Sequence, residues 1–190
     1  EPVLGFDLGA SSTVAGFALP NDGYHMSVTP YLGANNGWDS SVRDTDSHTV
    51  GRWIPIPFSK TEIQTRLANR QAIYSAPKTS DAFYFQEAIA REAWRSLYPF
   101  PTSAISLPGP SATPLNIVGS GSIVAHTPSL WRVALMLLDS AEPLGVVRLW
   151  ADRSSVLPQV GALSAISSDA TRSLLEGGAL ASLVLALFLN

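Results

Sequence analysis

The first nineteen residues restrict the fold most, because a turn of small residues joins two apolar runs there. Val3–Phe6 and Thr13–Leu19 are long enough for strands, and the Ala10–Ser12 connection is so short that it favours antiparallel pairing. Pro20–Gly23 is a strong turn signal, so a third strand at His25–Thr29 extends the hairpin. The chain is therefore predicted to begin as an antiparallel β-meander.

Helical and strand patterns alternate after the meander, which predicts an α/β protein with a mixed sheet. Residues 33–52 read as a loop and Trp53–Phe58 as extended, because each proline disfavours helix in its predecessor. Ser59 and Glu62 have the spacing of a capping box at a helix start. Further strands are predicted at 116–118 and 145–150, and helices at 59–73, 81–98, from 127, 159–166 and 170–176.

The sequence also predicts an ion pair, a helix cap and the character of the C-terminal apolar run. Glu87 and Arg91 have the i,i+4 spacing of an ion pair on a solvent-facing helix surface. Thr127 is predicted to cap the helix whose first position is Pro128. The apolar end, Ala179–Leu189, fits either a final core strand or helix, or a strand cut off before its loop.

Composition excludes several classes of function. Of 190 residues, 46% are hydrophobic and 14% charged, with a net charge of −3, which suits one domain or one large lobe and gives no basic face for nucleic acid. The sequence also lacks a basic amphipathic helix of the kind that binds membrane surfaces. Cysteine is absent, which excludes zinc–thiolate sites and thiol catalysis. Without a signal peptide pattern at Glu1-Pro2-Val3, the expected compartment is the cytoplasm, and the chain is expected to be part of a longer protein.

The hairpin turn is the first candidate for chemistry. Asp7 ends an apolar strand, and Gly9 lets backbone approach a ligand closely. The turn after it offers backbone N–H groups that can form an anion-binding concavity. A carboxylate there can orient water bound to Mg²⁺. An ordinary hairpin is the alternative. The candidate binding residues are Asp7, Gly9, Ala10, Ser11, Ser12 and Thr13.

A second candidate follows the strand predicted at 116–118. Gly119, Ser120 and Gly121 form a Gly-x-Gly string before a helix, which allows backbone approach to a ligand. It lacks the third glycine of the dinucleotide fingerprint, so by itself it indicates only a tight strand-to-helix connection.

The middle loop, its two flanking tryptophans and an isolated histidine carry weaker signals. Carboxylates and an imidazole lie close together in this loop, but a solvated loop with Asx turns explains them better than a metal site. The tryptophans fit core or interface anchors. These residues are Asp39, Arg43, Asp44, Asp46 and His48 in the loop, Trp38 and Trp53 on its flanks, and His126 elsewhere.

The two glycine motifs, in this order, resemble the second lobe of the actin, Hsp70 and sugar-kinase superfamily. Asp7, Gly9 and Ser11–Thr13 match its phosphate-binding hairpin, and Gly119–Gly121 matches its adenosine-binding turn, with Ser120 where glycine is commoner. The resemblance implies one lobe of a ribonuclease H-like fold that binds ATP and Mg²⁺ in a cleft completed by a companion lobe. Asp7 would act on the metal through water.

A narrower resemblance links the chain to MutL, the glutamate (methylaspartate) mutase accessory family. Its matching segments are 35–39, 118–121, 137–139, 145–149, 157–163 and 174–176. It implies an ATP-dependent helper of an adenosylcobalamin-dependent mutase. Within a single lobe, 1–190, we expect a hairpin, meander and loop at 1–58, a helical insert at 59–98, a proline-rich linker at 99–114, and the adenosine-motif strand with its helices at 115–190.

Departures from the superfamily pattern keep other functions open. Val14 stands where catalytic members often carry an acid, Ala10 replaces a frequent glycine, and only one phosphate hairpin is visible. We therefore assign no catalytic residue, and any ATPase activity would be weak and confined to the full-length protein. One alternative is a structural or interaction lobe that kept the fold and lost the nucleotide. Another is a small-molecule kinase lobe, supported only by fold analogy.

Overall fold

The fold described here is that of a computed structural model of the chain. It describes residues 1–20, 23–30, 32–34, 43–69, 77–97, 114–143 and 145–188, with backbone only at 43–46 and 184–188. The predicted linker therefore lies outside the described residues except for Pro114, as do Trp38, Asp39 and the end of the helix predicted to reach residue 73.

Six strands form one mixed sheet in the order β3–β2–β1–β4–β5–β6. The first three strands are antiparallel neighbours, β4 and β5 run parallel to β1, and β6 runs antiparallel to β5. This confirms an α/β fold with a mixed sheet that begins as a meander. The strands are β1 Val3–Leu8, β2 Ser12–Leu19, β3 Gly23–Pro30, β4 Leu115–Gly121, β5 Gly145–Ala151 and β6 Ala181–Phe188.

Two helices, α3 (Ser80–Leu97) and α5 (Leu130–Ala141), pack together against the sheet and enclose the main core. Alternate side chains of β1 are buried in this core, namely Leu4, Phe6 and Leu8, because successive side chains of a strand point to opposite faces of the sheet. Phe6 stacks on Trp94 of α3, with ring centroids 5.5 Å apart. The helices are α1 Arg43–Gly51, α2 Lys60–Asn69, α3 Ser80–Leu97, α4 Ser122–His126, α5 Leu130–Ala141, α6 Leu157–Ser164 and α7 Ser168–Leu174, which a π-turn at Leu175–Ala179 follows.

The capping box predicted at the start of α2 is present. The Ser59 amide donates to the Glu62 carboxylate at 2.7 Å, and the Glu62 amide donates to the Ser59 hydroxyl at 3.2 Å. Two helix-terminal N–H groups thereby gain partners. The Ser59 hydroxyl also donates to the Glu62 carboxylate at 2.7 Å. The bonds from the Ser59 amide and hydroxyl lower the pKa of Glu62, because they favour its ionised form.

The loop predicted over residues 33–52 is wrong in its second half, where α1 forms. Its sequence is polar and has little helical periodicity, so local pattern did not reveal it. The helix nevertheless places Val50, which is fully buried, in a second apolar cluster with Ile63 and Phe85. Tertiary packing therefore overrides weak local preference here.

The predicted solvent-facing pair Glu87–Arg91 is also wrong, because both side chains are buried. Glu87 instead accepts two bonds from Arg132 of α5, at 2.9 and 3.0 Å, and Arg91 donates to Asp139 at 2.7 Å. These bonds connect α3 to α5. Burial raises the pKa of Glu87, although the bonds and charge of Arg132 oppose the shift.

The strand-to-helix boundaries of the second half differ from the prediction. β4 continues through Gly121 and α4 begins at once, so no separate glycine turn intervenes. Thr127 ends α4 and does not cap α5, which begins at Leu130 with Ser129 at its N-cap. The Thr127 hydroxyl is instead 3.4 Å from the Glu87 carboxylate. Of the alternatives for the C-terminal apolar run, a strand is observed, β6.

Candidate functional site

Asp7 and Ser120, one from each sequence motif, are neighbours in the sheet. β1 and β4 pair in parallel with Asp7 opposite Ser120 and Leu8 opposite Gly121. Since Leu4, Phe6 and Leu8 fill the core, Asp7 and Ser120 lie on the opposite face of the sheet. Their side chains are therefore neighbours on one face of the sheet. The fold thus joins two motifs that are more than one hundred residues apart in sequence.

This pair lies at the point where the chain changes direction across the sheet. From β1 the chain builds outward through β2 and β3, and it then returns to the other side of β1 to form β4 and β5. Open α/β sheets bind ligands outside the carboxyl ends of the strands at such a switch point. Asp7 is the penultimate residue of β1, and Ser120 that of β4.

A third side chain, Asp152, completes the cluster from the end of β5. It is fully buried, and its position follows the last β4–β5 pair, Gly119 with Ala151. Its carboxylate accepts the Ser120 hydroxyl at 3.0 Å and the amides of Val156 and Leu157 at 2.9 Å each. Asp152 therefore fixes Ser120 and holds the start of α6, with three donors on one carboxylate.

The electrostatics of Asp7 follow from this arrangement. Burial raises the pKa of Asp7; the hydrogen bond with Ser120 opposes the shift, and repulsion by Asp152 adds to it. A serine hydroxyl has one proton, so Ser120 can donate to only one of the two carboxylates at a time. With Ser120 donating to Asp152, Asp7 is the half-buried carboxylate that remains able to meet a cation.

The hairpin turn is closed by contacts on two sides. The Gly9 amide donates to the Ser12 carbonyl at 2.9 Å, and the Gly9 carbonyl accepts the Ala34 amide at 2.8 Å. A Cβ on Gly33 would lie 2.5 Å from the Ala10 carbonyl oxygen and the Ser11 nitrogen. The stretch 32–34 is therefore pressed against the turn, and Gly33 is the residue that permits this approach.

The residues of the predicted phosphate turn differ in their exposure. Thr13 is fully buried and donates its hydroxyl to the Leu32 carbonyl, so its side chain serves the packing of the turn. Ser12 and Ala10 are half-buried, and Ser11 is exposed at the tip. The exposed part of the turn is therefore at Ser11 and not at Thr13.

The two glycines of the second motif have structural reasons to be glycine. Gly119 faces the core, where an added Cβ would lie 2.9 Å from Leu137 of α5. Gly121 has φ +97°, and an added Cβ would lie 2.3 Å from the Leu8 carbonyl oxygen. Of the three predicted residues, Ser120 alone faces Asp7. A role for the glycines beside adenosine remains a prediction.

The remaining candidate residues form no chemical cluster in the part of the chain that the structure describes. No group of three or more His, Cys, Asp or Glu there could hold a metal ion. His126 is the last residue of α4, and its ring interacts with the Ser122 carbonyl at 2.8 Å. Among the described residues, no helix is both long and apolar enough to cross a membrane.

Asp152 is the site residue that sequence reasoning did not find. An acid directly after the apolar run Gly145–Ala151 was an available signal, because it has the same strand-end position as Asp7. Its importance depends on β5 lying beside β4, which sequence spacing does not reveal. The searches for related proteins add no family to this geometry: no protein-family model, curated protein or solved structure matches the chain.

Proposed function

We propose that this chain is an ATP-binding lobe of the actin, Hsp70 and sugar-kinase superfamily. The observation that carries the proposal is the register of Asp7 against Ser120 at the switch point of the sheet. One side chain comes from each half of the sequence pattern, and they meet where such sheets bind ligands. The antiparallel meander followed by parallel strands supports the ribonuclease H-like lobe that the resemblance implies.

In this proposal the exposed end of the cluster meets the phosphates. Asp7 holds Mg²⁺ through water, since this ion usually keeps several waters and takes one or two carboxylates. Carboxylate and hydroxyl oxygens are donors that suit it, so Asp7 and Ser120 fit the ion. When bound, the metal neutralises phosphate charge. The hairpin turn at Ala10–Ser12 lies beside the phosphates. The biological role proposed is assistance to an adenosylcobalamin-dependent mutase, with a companion lobe closing the cleft.

Calorimetry with ATP and Mg²⁺ on the natural protein that carries this chain tests the proposal. We expect binding to the unaltered protein and at least tenfold weaker binding in Asp7→Ala, about the loss of one charge-assisted contact. Asp169→Ala is the matched control, because Asp169 is an exposed acid in the first turn of α7. Absence of binding, or equal binding in Asp7→Ala and Asp169→Ala, would refute the proposal.

A scaffold lobe without nucleotide is the second candidate, and specific contacts favour it. Packing explains Gly119 and Gly121, and the Thr13 hydroxyl is bonded to Leu32. Val14, opposite Asp7 in β2, supplies no acid. A crystal of the natural protein grown with ATP distinguishes the two candidates: nucleotide between the hairpin and β4 excludes the scaffold, whereas an empty site in a protein that still binds its partner supports it.

A further inference from the structure

A cleft of about 500 Å³ lies beside α1 and α2, away from the sheet site. None of its lining residues belongs to β1 or β4, and Asp152 is not among them. Its volume is within the range of pockets that hold small molecules. Among the lining residues that the structure describes, three are basic and none is acidic; these residues are Ser47, His48, Gly51, Arg52, Phe58, Lys60 and Ile63.

Arg52 is held in place by partners outside the cleft lining. Its Nε and Nη2 donate to Glu92 of α3 at 3.1 and 2.6 Å, and its guanidinium lies 4.7 Å from the ring centre of Trp53. An arginine has five N–H donors, so three remain for another acceptor. This fixed guanidinium loses little further freedom when it binds an anion.

Lys60 and His48 also line the cleft, and with Arg52 they form its basic wall. Both side chains are exposed, and Lys60 is the first residue of α2, where the positive end of the helix dipole adds to its charge. Ser47 also lines the cleft and is only 5% exposed. A hydroxyl in that position can donate to, or accept from, a ligand group.

Two of the side chains that line the cleft are apolar. Ile63 is buried, and Phe58 is half-buried with the Arg66 guanidinium 4.3 Å from its ring centre. Gly51 approaches Ile63 closely, since an added Cβ would lie 3.1 Å from the Ile63 methyl group. The cleft thus combines hydrogen-bond donors with two apolar side chains, the usual composition of a small-molecule site.

We infer that this cleft binds a small organic anion, with Arg52, Lys60 and His48 on the anionic group and Phe58 with Ile63 on the apolar body. The inference is independent of the proposed ATP site, because no residue is shared. An anion alone would use only the basic wall. A neutral ring alone would use only Phe58 and Ile63.

Phenyl phosphate, inorganic phosphate and benzyl alcohol are suitable probes, since they separate the two halves of such a ligand. Two-dimensional ¹H–¹⁵N spectra of the chain report binding at the Gly51 and Lys60 amides. We expect phenyl phosphate to bind at least about tenfold more tightly than either other probe. No shift at those amides at about 10 mM phenyl phosphate, well above the dissociation constants of specific small-molecule sites, would overturn the inference. Equal affinity for inorganic phosphate would refute the apolar half.

Variants of the basic wall complete the test. Lys60→Ala should weaken phenyl phosphate binding about tenfold, as expected for one charge-assisted hydrogen bond, and Lys60→Gln should have a similar effect without shortening the side chain much. Lys78→Ala is the control, because Lys78 is an exposed lysine outside the cleft. If both Lys60 variants keep their native spectra and bind as tightly as Lys78→Ala, the inferred site is wrong.

Discussion

At Asp7, burial and charge oppose each other. The carboxyl group is half-buried at the end of a core strand, and burial raises its pKa. Buried acids that lower the stability of the fold are common at functional sites, because such sites are selected for binding and not for stability. The neighbouring Ser120 reduces the cost only when its single proton turns toward Asp7.

Replacement of Asp7 with Asn should therefore stabilise the chain at neutral pH. Below the ordinary value of 3.8 the carboxyl is protonated in both folded and unfolded chains, so Asp7→Asn and the original chain should be similar. As pH rises through that value, the unfolded chain releases its proton first, and the original chain loses stability. Urea unfolding from acid to neutral pH measures the difference. Parallel stability curves for the two chains would contradict the raised pKa.

Replacement of Asp152 should destabilise the chain, because its carboxylate accepts hydrogen bonds from three donors. Asp152→Ala leaves the Ser120 hydroxyl and the amides of Val156 and Leu157 without this acceptor, which should cost about 2–4 kcal/mol of unfolding free energy. Asp152→Asn keeps one acceptor oxygen and should lose less. Chemical denaturation measures both variants. A loss under about 0.5 kcal/mol in Asp152→Ala, the range of ordinary surface substitutions, would show that these bonds are unimportant.

Among the elements, the junction of β4 with α4 is the most constrained. Gly121 combines φ +97° with a close approach to the Leu8 backbone, so both the conformation and the space exclude a side chain. In the middle of α6, by contrast, an added Cβ on Gly161 meets no atom within 4 Å. The two glycines therefore provide a matched pair within one chain.

Gly121→Ala should lower the unfolding free energy by about 3 kcal/mol, because strain and a backbone clash act together. Gly161→Ala should raise it by up to about 1 kcal/mol, since alanine favours helix over glycine. Thermal and urea unfolding of the two variants provide the measurement. If Gly121→Ala is as stable as the original chain, the tight junction described here is incorrect.

At the scale of the whole molecule, the described residues form two apolar clusters of unequal size. The main one spans the sheet, α3 and α5, whereas the second joins α1 and α2 to one side of α3. Beyond both, α7 has no buried residue. Local opening requires less free energy where fewer apolar contacts are lost, so these three regions should differ in stability.

Hydrogen exchange should rank the regions in that order. We expect the slowest exchange in β1 and β4, faster exchange in α2 and the fastest in α7. Mass spectrometry of peptides from the intact chain measures these rates. Equal protection of α2 and β1 would indicate a single cooperative unit and would contradict the separate second cluster.

Local chemistry was sufficient to predict several elements from sequence. The hairpin and meander follow from short turns between apolar runs, and the capping box of α2 follows from Ser59 and Glu62 at the correct spacing. The helix α1 was missed because its stability depends on Val50 packing against α2 and α3. The pairing of Glu87 with Arg91 was wrong because helical spacing carries no information about Arg132 and Asp139, which lie on another helix.

Local sequence likewise predicts one part of the candidate site and not the rest. Asp7 was found because a carboxylate at a strand end beside a small-residue turn is a local pattern. Its relation to Ser120, and the existence of Asp152 in the cluster, depend on strand order and register, which long-range packing decides. The sequence alone thus determined the meander and the Asp7 turn, since both rest on contacts between near neighbours. Only the tertiary structure placed Asp7, Ser120 and Asp152 together, because three strands from distant parts of the chain must align before their side chains can meet.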